Sequence, residues 1–433
     1  MTIHELFVLL KKRIVNFFSQ SLFANAGYLL GLNLFPSAIG FLFWGIASRL
    51  FNVSDVGLAS AVLSAVALLA GISNLGFSTG VIRLLPEAAQ PRRLLNTVYS
   101  LSLITASGIG GIYLLSLPLW SAEMANYFRG PFFTVGFLLY VVVTSLGSLI
   151  RDTYVARRRA QYAFVYTVIT QILRLVFLFF STRLAAAGLI GSNLIAFTIA
   201  LIYIWVRLPT IQPDYRFKFT LSAEELFVML PYALGNHLAN LIWQLPQTLL
   251  PLLIFSSAGA EANAYAYIAL MLGSLICSPS FALIGSSFAE CANTPEMTEQ
   301  ILAKVTRLSL LLTLLISVIL LASAPWVLLI FGKEYSQSAS VLLRWLCVAA
   351  PFMTLNQIFF NRLRLEKKIR LLIASSTVLA ILILGLSAVL LNQIGISAGG
   401  IGILLGNILI TVLFLNKKLM GTQRGYISTG HGV

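Results

Sequence analysis

The sequence predicts an all-α membrane protein that crosses the bilayer about twelve times. Three observations support this fold class: hydrophobic residues make up 58% of the 433 residues, charged residues only 10%, and the apolar residues form long stretches. Ordinary soluble proteins are about a quarter charged and roughly half apolar, so these values exclude a soluble multidomain enzyme and a disordered chain. Long alternating segments are absent from the sequence, which argues against a membrane β-barrel.

The apolar stretches are long enough to be transmembrane helices. A hydrocarbon core about 30 Å thick requires roughly 20 apolar residues in a helix. On that basis we predict spans at approximately 26–48, 57–80, 94–119, 131–150, 162–182, 188–208, 228–255, 262–285, 305–331, 338–361, 371–391 and 397–415.

The net charge of +15 lies mainly on one side of the predicted membrane. Of the 29 Lys and Arg residues, 23 fall in the termini and the even-numbered links, 4 in the odd-numbered links, and two, Arg174 and Arg344, inside spans. Arg207 and Arg307, at the ends of their predicted spans, are counted with the even-numbered links. Because cytoplasmic loops are rich in Lys and Arg, both termini are expected in the cytoplasm. The excess of basic residues indicates how the protein is oriented in a plasma (inner) membrane, and no nucleic-acid partner is needed to explain it.

A polar segment near the middle of the chain divides the spans into two sets of six. We interpret residues 209–226 as a cytoplasmic linker between an N-terminal six-helix lobe at 1–208 and a C-terminal six-helix lobe at 227–415. A cytoplasmic tail follows at 416–433. Six spans return the chain to its starting side, so the two halves are expected to be parallel repeats.

Enzyme signatures are absent from the sequence. It has neither the Gly-x-x-x-x-Gly-Lys-Ser/Thr loop that holds ATP phosphates nor a His-Glu-x-x-His zinc motif. The carboxylates of the predicted outer loops, Asp55, Glu123, Glu261 and Glu334, stand singly, and we interpret them as solvated loop residues. We therefore expect no enzymatic activity, no metal site and no cofactor.

Polar residues inside spans are costly and indicate function or specific packing. Thr167, Thr170, Gln171 and Arg174 share one face of the fifth predicted span. Arg174 lies near the middle of that span, where a charge costs at least about 2.5–3.5 kcal/mol. Two interpretations remain open: a cation that receives an anionic substrate such as a diphosphate, or a buried structural pair, for which Asp152 is a remote candidate.

The seventh predicted span has a row of amides on one face. Asn236, Asn240, Gln244 and Gln247 follow spacings of four, four and three residues. This pattern favours a helix that lines a water-filled cavity, with the amides hydrogen-bonding to sugar hydroxyls or phosphate. Hydrogen bonding between helices is the alternative explanation.

Three further polar residues have two interpretations each. Asn33 in the first span either lines a cavity or only packs. Arg83, at the end of the second span, either guards a cavity entrance or merely contributes to the topology signal. Arg344 begins the tenth span, and we expect it to snorkel to the interface.

The second span and its flanks contain three motifs: Gly57-Leu58-Ala59-Ser60-Ala61, Ser73-Asn74-Leu75-Gly76 and Ile82-Arg83-Leu84-Leu85-Pro86-Glu87. Together they resemble the second helix of polysaccharide-exporting flippases, the Wzx-like O-antigen branch of the multidrug/oligosaccharidyl-lipid/polysaccharide (MOP) exporter superfamily. The close match covers about 40 residues, and the twelve-helix layout extends the resemblance over the whole chain.

The resemblance implies two six-helix lobes in a V shape, like that of MATE transporters, around a central cationic cavity. It also implies a substrate, an oligosaccharide on a polyprenyl diphosphate, that moves from the inner to the outer leaflet by alternating access. Cavity arginines are typical of the family, which suits Arg174 and Arg83, and Asn74 joins the cavity candidates. A coupling Na⁺ or H⁺ is expected but stays unassigned, because no acidic residue sits clearly in a span.

The expected partners are therefore the lipid-linked oligosaccharide and membrane lipids, with a glycan polymerase or glycosyltransferases of the same pathway as further candidates. A multidrug exporter on the same architecture is the main alternative, although it would favour an acidic residue inside a span. A membrane glycosyltransferase or polymerase is disfavoured by the short outer loops.

Overall fold

The computed structural model describes residues 21–213, 215–293 and 295–421. Within these ranges, only the backbone is described for residues 21–27, 29, 30, 33, 34, 228, 231–236, 288, 289, 292, 293, 295 and 417–421. The α-helices of this described part are α1 (Ser21–Leu50), α2 (Val53–Ser73), α3 (Phe77–Leu84), α4 (Pro91–Trp120), α5 (Ala122–Tyr127), α6 (Pro131–Ala156), α7 (Ala160–Phe180), α8 (Ala185–Val206), α9 (Ala223–Asn293), α10 (Thr298–Leu329), α11 (Lys333–Leu365), α12 (Ile369–Ile394) and α13 (Ser397–Gly421). The same residues contain no β-strand.

Most of these helices can cross a membrane. Over the described residues, ten segments, in α2, α4 and α6 to α13, are long and apolar enough. The apolar segment of α1, Phe35–Leu50, is shorter than these ten. Helix α9 is counted as one of the ten although it contains two predicted spans. The prediction of an all-α, multi-pass membrane protein is confirmed. The number twelve stays a prediction, and both termini lie outside the described residues.

Helix α9 changes direction at Gly259 without a loop. Gly259 has φ 87° and ψ 178°, a conformation that residues with a Cβ rarely adopt. It divides α9 into an N-terminal arm, 223–258, and a C-terminal arm, 260–293. The predicted spans 228–255 and 262–285 therefore meet at a single glycine.

The start of the C-terminal arm lies in direct contact with α2. A Cβ placed on Gly57 would be 1.7 Å from the carbonyl oxygen of Ala260, so only glycine permits this approach. One helical turn further, Asn263 Nδ2 donates hydrogen bonds to the Gly57 carbonyl at 2.8 Å and to Ser60 Oγ at 3.0 Å. Small residues and interhelical hydrogen bonds are the usual means by which membrane helices associate. Two residues of the first sequence motif, Gly57 and Ser60, thus have a packing role.

Contacts divide the chain into two compact units. The first consists of the residues up to Leu272 together with Pro325–Ser340, and the second of Gly273–Ala324 together with the residues from Val341 onwards. The first unit contains the helices that surround Arg174. Inside the second, Thr411 donates a hydrogen bond to Asn356 Oδ1 at 3.0 Å, and Asn356 Nδ2 donates to Asn407 Oδ1 at 2.9 Å. The lobe boundaries at 208 and 227 stay a prediction.

Candidate functional site

The polar face of α7 contains two kinds of side chain. The hydroxyls of Thr167 and Thr170 donate back to the carbonyls of Ala163 and Tyr166, at 3.1 and 2.8 Å, and are satisfied within their own helix. In contrast, Gln171 Oε1 and Arg174 Nε are buried and have no hydrogen-bond partner. Since unpartnered buried polar atoms are costly and rare, this pair differs from the two threonines, and its role in substrate binding stays a prediction.

Aromatic side chains from three other helices surround the guanidinium of Arg174. Its Cζ lies 4.7 Å from the ring centre of Phe43, which is fully buried in α1. The phenols of Tyr140 in α6 and Tyr267 in α9 are close enough to interact electrostatically with the guanidinium. Trp44 packs against Tyr267 with a ring separation of 4.8 Å. We refer to Arg174, Phe43, Tyr140 and Tyr267 as the arginine cage.

The cage stabilises a cation without neutralising it. A cation above an aromatic face gains about 0.5–2 kcal/mol, less than the cost of a charge at that depth. Among the ion pairs of the described residues, none involves Arg174. The proposed partner Asp152 instead accepts a hydrogen bond from Arg151 at 3.1 Å. The structural-pair interpretation through Asp152 is therefore wrong, and Arg174 has no carboxylate partner among the described residues.

The candidate Asn74 has a structural role. Its Nδ2 donates to Ser78 Oγ at 3.0 Å and to Ser148 Oγ at 3.2 Å, while its Oδ1 accepts the Ser78 N–H at 3.1 Å. These bonds fix the short turn between α2 and α3 and join it to α6. Arg83 lies exposed in the last turn of α3.

The helix face that carries the amide row of α9 is more exposed than its apolar face. Ile242 and Leu250 are buried, whereas Gln244 and Gln247 are exposed. Asn240 is half-buried. The side chains of two further candidates, Asn236 and Asn33, lie outside the described residues. A role of the amide row in substrate binding stays a prediction.

The loop carboxylates are more connected than the sequence indicates. Asp55 Oδ1 accepts the backbone N–H of Ala186 at the start of α8, at 3.0 Å, and Glu261 accepts a hydrogen bond from Ser54 at 3.2 Å. Asp55, Glu261 and Glu334 line one cavity of 770 Å³. Glu261 and Glu334 are exposed, in agreement with the interpretation of solvated loop carboxylates, but the fold brings these three residues together, which the sequence alone does not indicate.

Arg49 lies at the same cavity and caps a helix. Its guanidinium donates to the carbonyls of Leu329 and, at 2.8 Å, of Ile330 at the end of α10. A cation at a helix C-terminus satisfies free carbonyls and interacts favourably with the helix dipole. Because the two partners are about 280 residues apart, no sequence pattern indicates this contact.

Comparison with known proteins agrees with this architecture. A family model described as "Polysaccharide biosynthesis protein" matches residues 22–284. No curated protein matches the chain. Among solved structures, lipid II flippase MurJ in an inward closed conformation is similar, with a TM-score of 0.74 at 12% identity, covering 91% of this chain and 87% of that one.

Two conformations of a multidrug resistance MATE family transporter of the MOP superfamily are also similar. The inward-facing form has a TM-score of 0.64 at 17% identity, covering 91% of this chain and 96% of that one. The outward-facing form has a TM-score of 0.61 at 16% identity, covering 91% and 95%. These neighbours are transporters or flippases rather than enzymes. Since the family model spans more than half of the sequence, this chain belongs to the polysaccharide biosynthesis protein family and is a multi-pass membrane protein with a MOP-type fold.

Proposed function

We propose that the protein flips a polyprenyl-diphosphate-linked oligosaccharide from the cytoplasmic to the outer leaflet by alternating access. The observation that supports this proposal is the arginine cage, which holds an unneutralised guanidinium in a predicted span. A diphosphate would supply the missing negative charge and accept hydrogen bonds from Arg174, including its unpartnered Nε–H. The polysaccharide biosynthesis family supports the glycan part of the substrate.

The work of such a protein is physical rather than chemical. A diphosphate and a polar glycan cannot cross a hydrocarbon core unless protein groups replace their water. Arg174 and Gln171 would contact the diphosphate, and the exposed amides Gln244 and Gln247 would hydrogen-bond to sugar hydroxyls. The prenyl tail would stay in lipid while rocking of the lobes changes the side to which the site opens.

The charge of the cage disfavours the multidrug exporter alternative. The two MATE conformations described above share the fold at 17% and 16% identity, which supports no conclusion about substrate. An organic cation would be repelled by Arg174, since no carboxylate among the described residues pairs with that guanidinium. The same positive charge attracts a diphosphate.

Replacement of Arg174 tests the site in cells. In a strain that depends on this chain for surface glycan, Arg174→Ala should reduce export about 10- to 150-fold, because a hydrogen bond to a charged group is worth about 1.5–3 kcal/mol. Arg174→Lys should retain part of the activity, since it keeps the charge but loses the planar fork.

The matched control is Arg344→Ala. Arg344 is also an arginine of a predicted span, but its side chain is exposed. We expect normal export from this variant at normal abundance. Normal export by Arg174→Ala at normal abundance would contradict the assigned site.

A further inference from the structure

The linker between α8 and α9 is held along the start of α4. We call residues 212, 213 and 215–222 the strap; Asp214 lies outside the described residues and is not included. The Tyr215 hydroxyl donates to Asn96 Oδ1 at 2.7 Å, and the Thr220 N–H donates to Ser100 Oγ at 3.0 Å. Since α4 is a candidate span that begins at Pro91, the strap lies at the end of a membrane helix.

The strap presents large apolar side chains at its surface. Phe217, Phe219 and Leu221 are 36%, 62% and 50% exposed, and Phe227 in the first turns of α9 is 77% exposed. If the linker were surrounded by water, these four large apolar side chains would be exposed to it. Exposed apolar patches of this kind mark a surface that contacts a partner or a membrane.

Cations alternate with the aromatic residues and also flank them. Arg216 and Lys218 are exposed within the strap. At its start, Arg157 donates to Gln212 Oε1 at 2.8 Å and Arg92 donates to the Pro213 carbonyl at 2.9 Å. Aromatic rings at the boundary of the hydrocarbon core and cations at the phosphates are the chemistry of a membrane interface, and basic clusters attract anionic lipids.

We propose that the strap, together with Phe227, lies in the headgroup region of the cytoplasmic leaflet and binds anionic phospholipid. The apolar rings reach the acyl boundary while Arg216 and Lys218 contact phosphates. The linker is then a membrane anchor rather than a solvated connection, and this inference is independent of the substrate that the protein transports. Lipid is favoured over a protein partner because the strap lies at the start of the membrane span α4.

A fluorescent reporter in the full-length protein tests this placement. Phe219→Cys is labelled with bimane and reconstituted in phosphatidylcholine vesicles that contain brominated phosphatidylglycerol or brominated phosphatidylcholine. The native cysteines, Cys277, Cys291 and Cys347, are buried, and the unsubstituted protein measures any background label. We expect strong quenching by brominated lipid, greater for phosphatidylglycerol at equal mole fraction, and weak quenching by aqueous iodide.

Glu296→Cys is the matched control, because Glu296 is exposed in the short turn Pro295–Met297 and is also predicted to be cytoplasmic. There we expect quenching by iodide and none by brominated lipid. Phe227→Cys is a second reporter, which decides the question if Phe219→Cys does not fold. Iodide quenching at the strap equal to that at position 296, with no effect of brominated lipid, would place the strap in water and leave a protein partner as the explanation.

The double substitution Arg216→Ala and Lys218→Ala tests the anionic preference. In the Phe219→Cys background it should raise the mole fraction of brominated phosphatidylglycerol needed for half-quenching roughly fivefold for each cation removed. The phosphatidylcholine curve should not change. Equal quenching by the two lipids before and after the substitution would overturn the proposal that the strap recognises anionic headgroups.

Discussion

The contact between α2 and the C-terminal arm of α9 makes the stability of the fold sensitive to one methyl group. In Gly57→Ala the added Cβ would lie 1.7 Å from the carbonyl oxygen of Ala260. Carbon and oxygen atoms in helix contacts are normally about 3.3–3.6 Å apart, so the two backbones must separate by roughly 1.6–1.9 Å. That movement also breaks the two hydrogen bonds from Asn263 to Gly57 and Ser60.

These terms add to a substantial loss of stability. Overpacking of a well-packed contact costs about 1–3 kcal/mol, and each interhelical hydrogen bond in a membrane protein about 0.6 kcal/mol. Alanine regains up to about 1 kcal/mol of helix propensity over glycine. We therefore expect the free energy of unfolding to fall by about 2–3 kcal/mol. At about 2 °C per kcal/mol, this lowers the midpoint of thermal unfolding by roughly 4–6 °C.

Thermal unfolding of the purified protein in detergent measures this effect. The control is Gly111→Ala in α4, where an added Cβ meets no atom within 4 Å. That variant should be as stable as the original protein or slightly more stable. A Gly57→Ala midpoint equal to that of Gly111→Ala would refute the close backbone contact.

Three further outcomes follow from single side chains. Gln171→Leu should impair export without lowering the melting temperature, because Oε1 has no partner to lose; a lower melting temperature with normal export would contradict this. Arg49→Ala should cost about 1 kcal/mol in thermal unfolding, since the end of α10 loses its cap; an unchanged midpoint would oppose it. Burial raises the pKa of Glu366, but hydrogen bonds from Lys368 and Arg362 outweigh it and hold that pKa below 4.5. Its stabilisation is present above pH 4.5 and lost on acidification below it, so Glu366→Gln should flatten the pH dependence of unfolding between pH 5 and 3.

Part of the site could be predicted from helical spacing alone. The pattern of α7 places Gln171 and Arg174 on one face, and the structure leaves atoms of both without partners. Spacing cannot show which polar residues are satisfied locally, so Thr167 and Thr170 look equivalent to them in the sequence although both bond to their own helix.

The remainder of the site depends on contacts between distant segments. Phe43 and Tyr267 surround Arg174 from helices that lie far away in the sequence, and aromatic residues are common in every span. Likewise, Asn263 is buried against α2 because of the bend at Gly259, and a lone asparagine after a glycine does not indicate such a bend. Hydropathy alone predicts the fold class, whereas the arginine cage becomes visible only when the packing of four helices is known.

Leaflet accessibility in proteoliposomes tests the central claim most directly. A fluorescent polyprenyl-diphosphate oligosaccharide is reconstituted with the purified protein, and the fraction exposed to an added glycosidase is followed over time. We expect the protein and its Arg344→Ala variant to expose substrate beyond the fraction initially in the outer leaflet, and Arg174→Ala to leave that fraction near the protein-free level. An accessible fraction that stays at the protein-free level with the unsubstituted protein, or that rises equally with Arg174→Ala, would contradict a flippase that acts through the arginine cage.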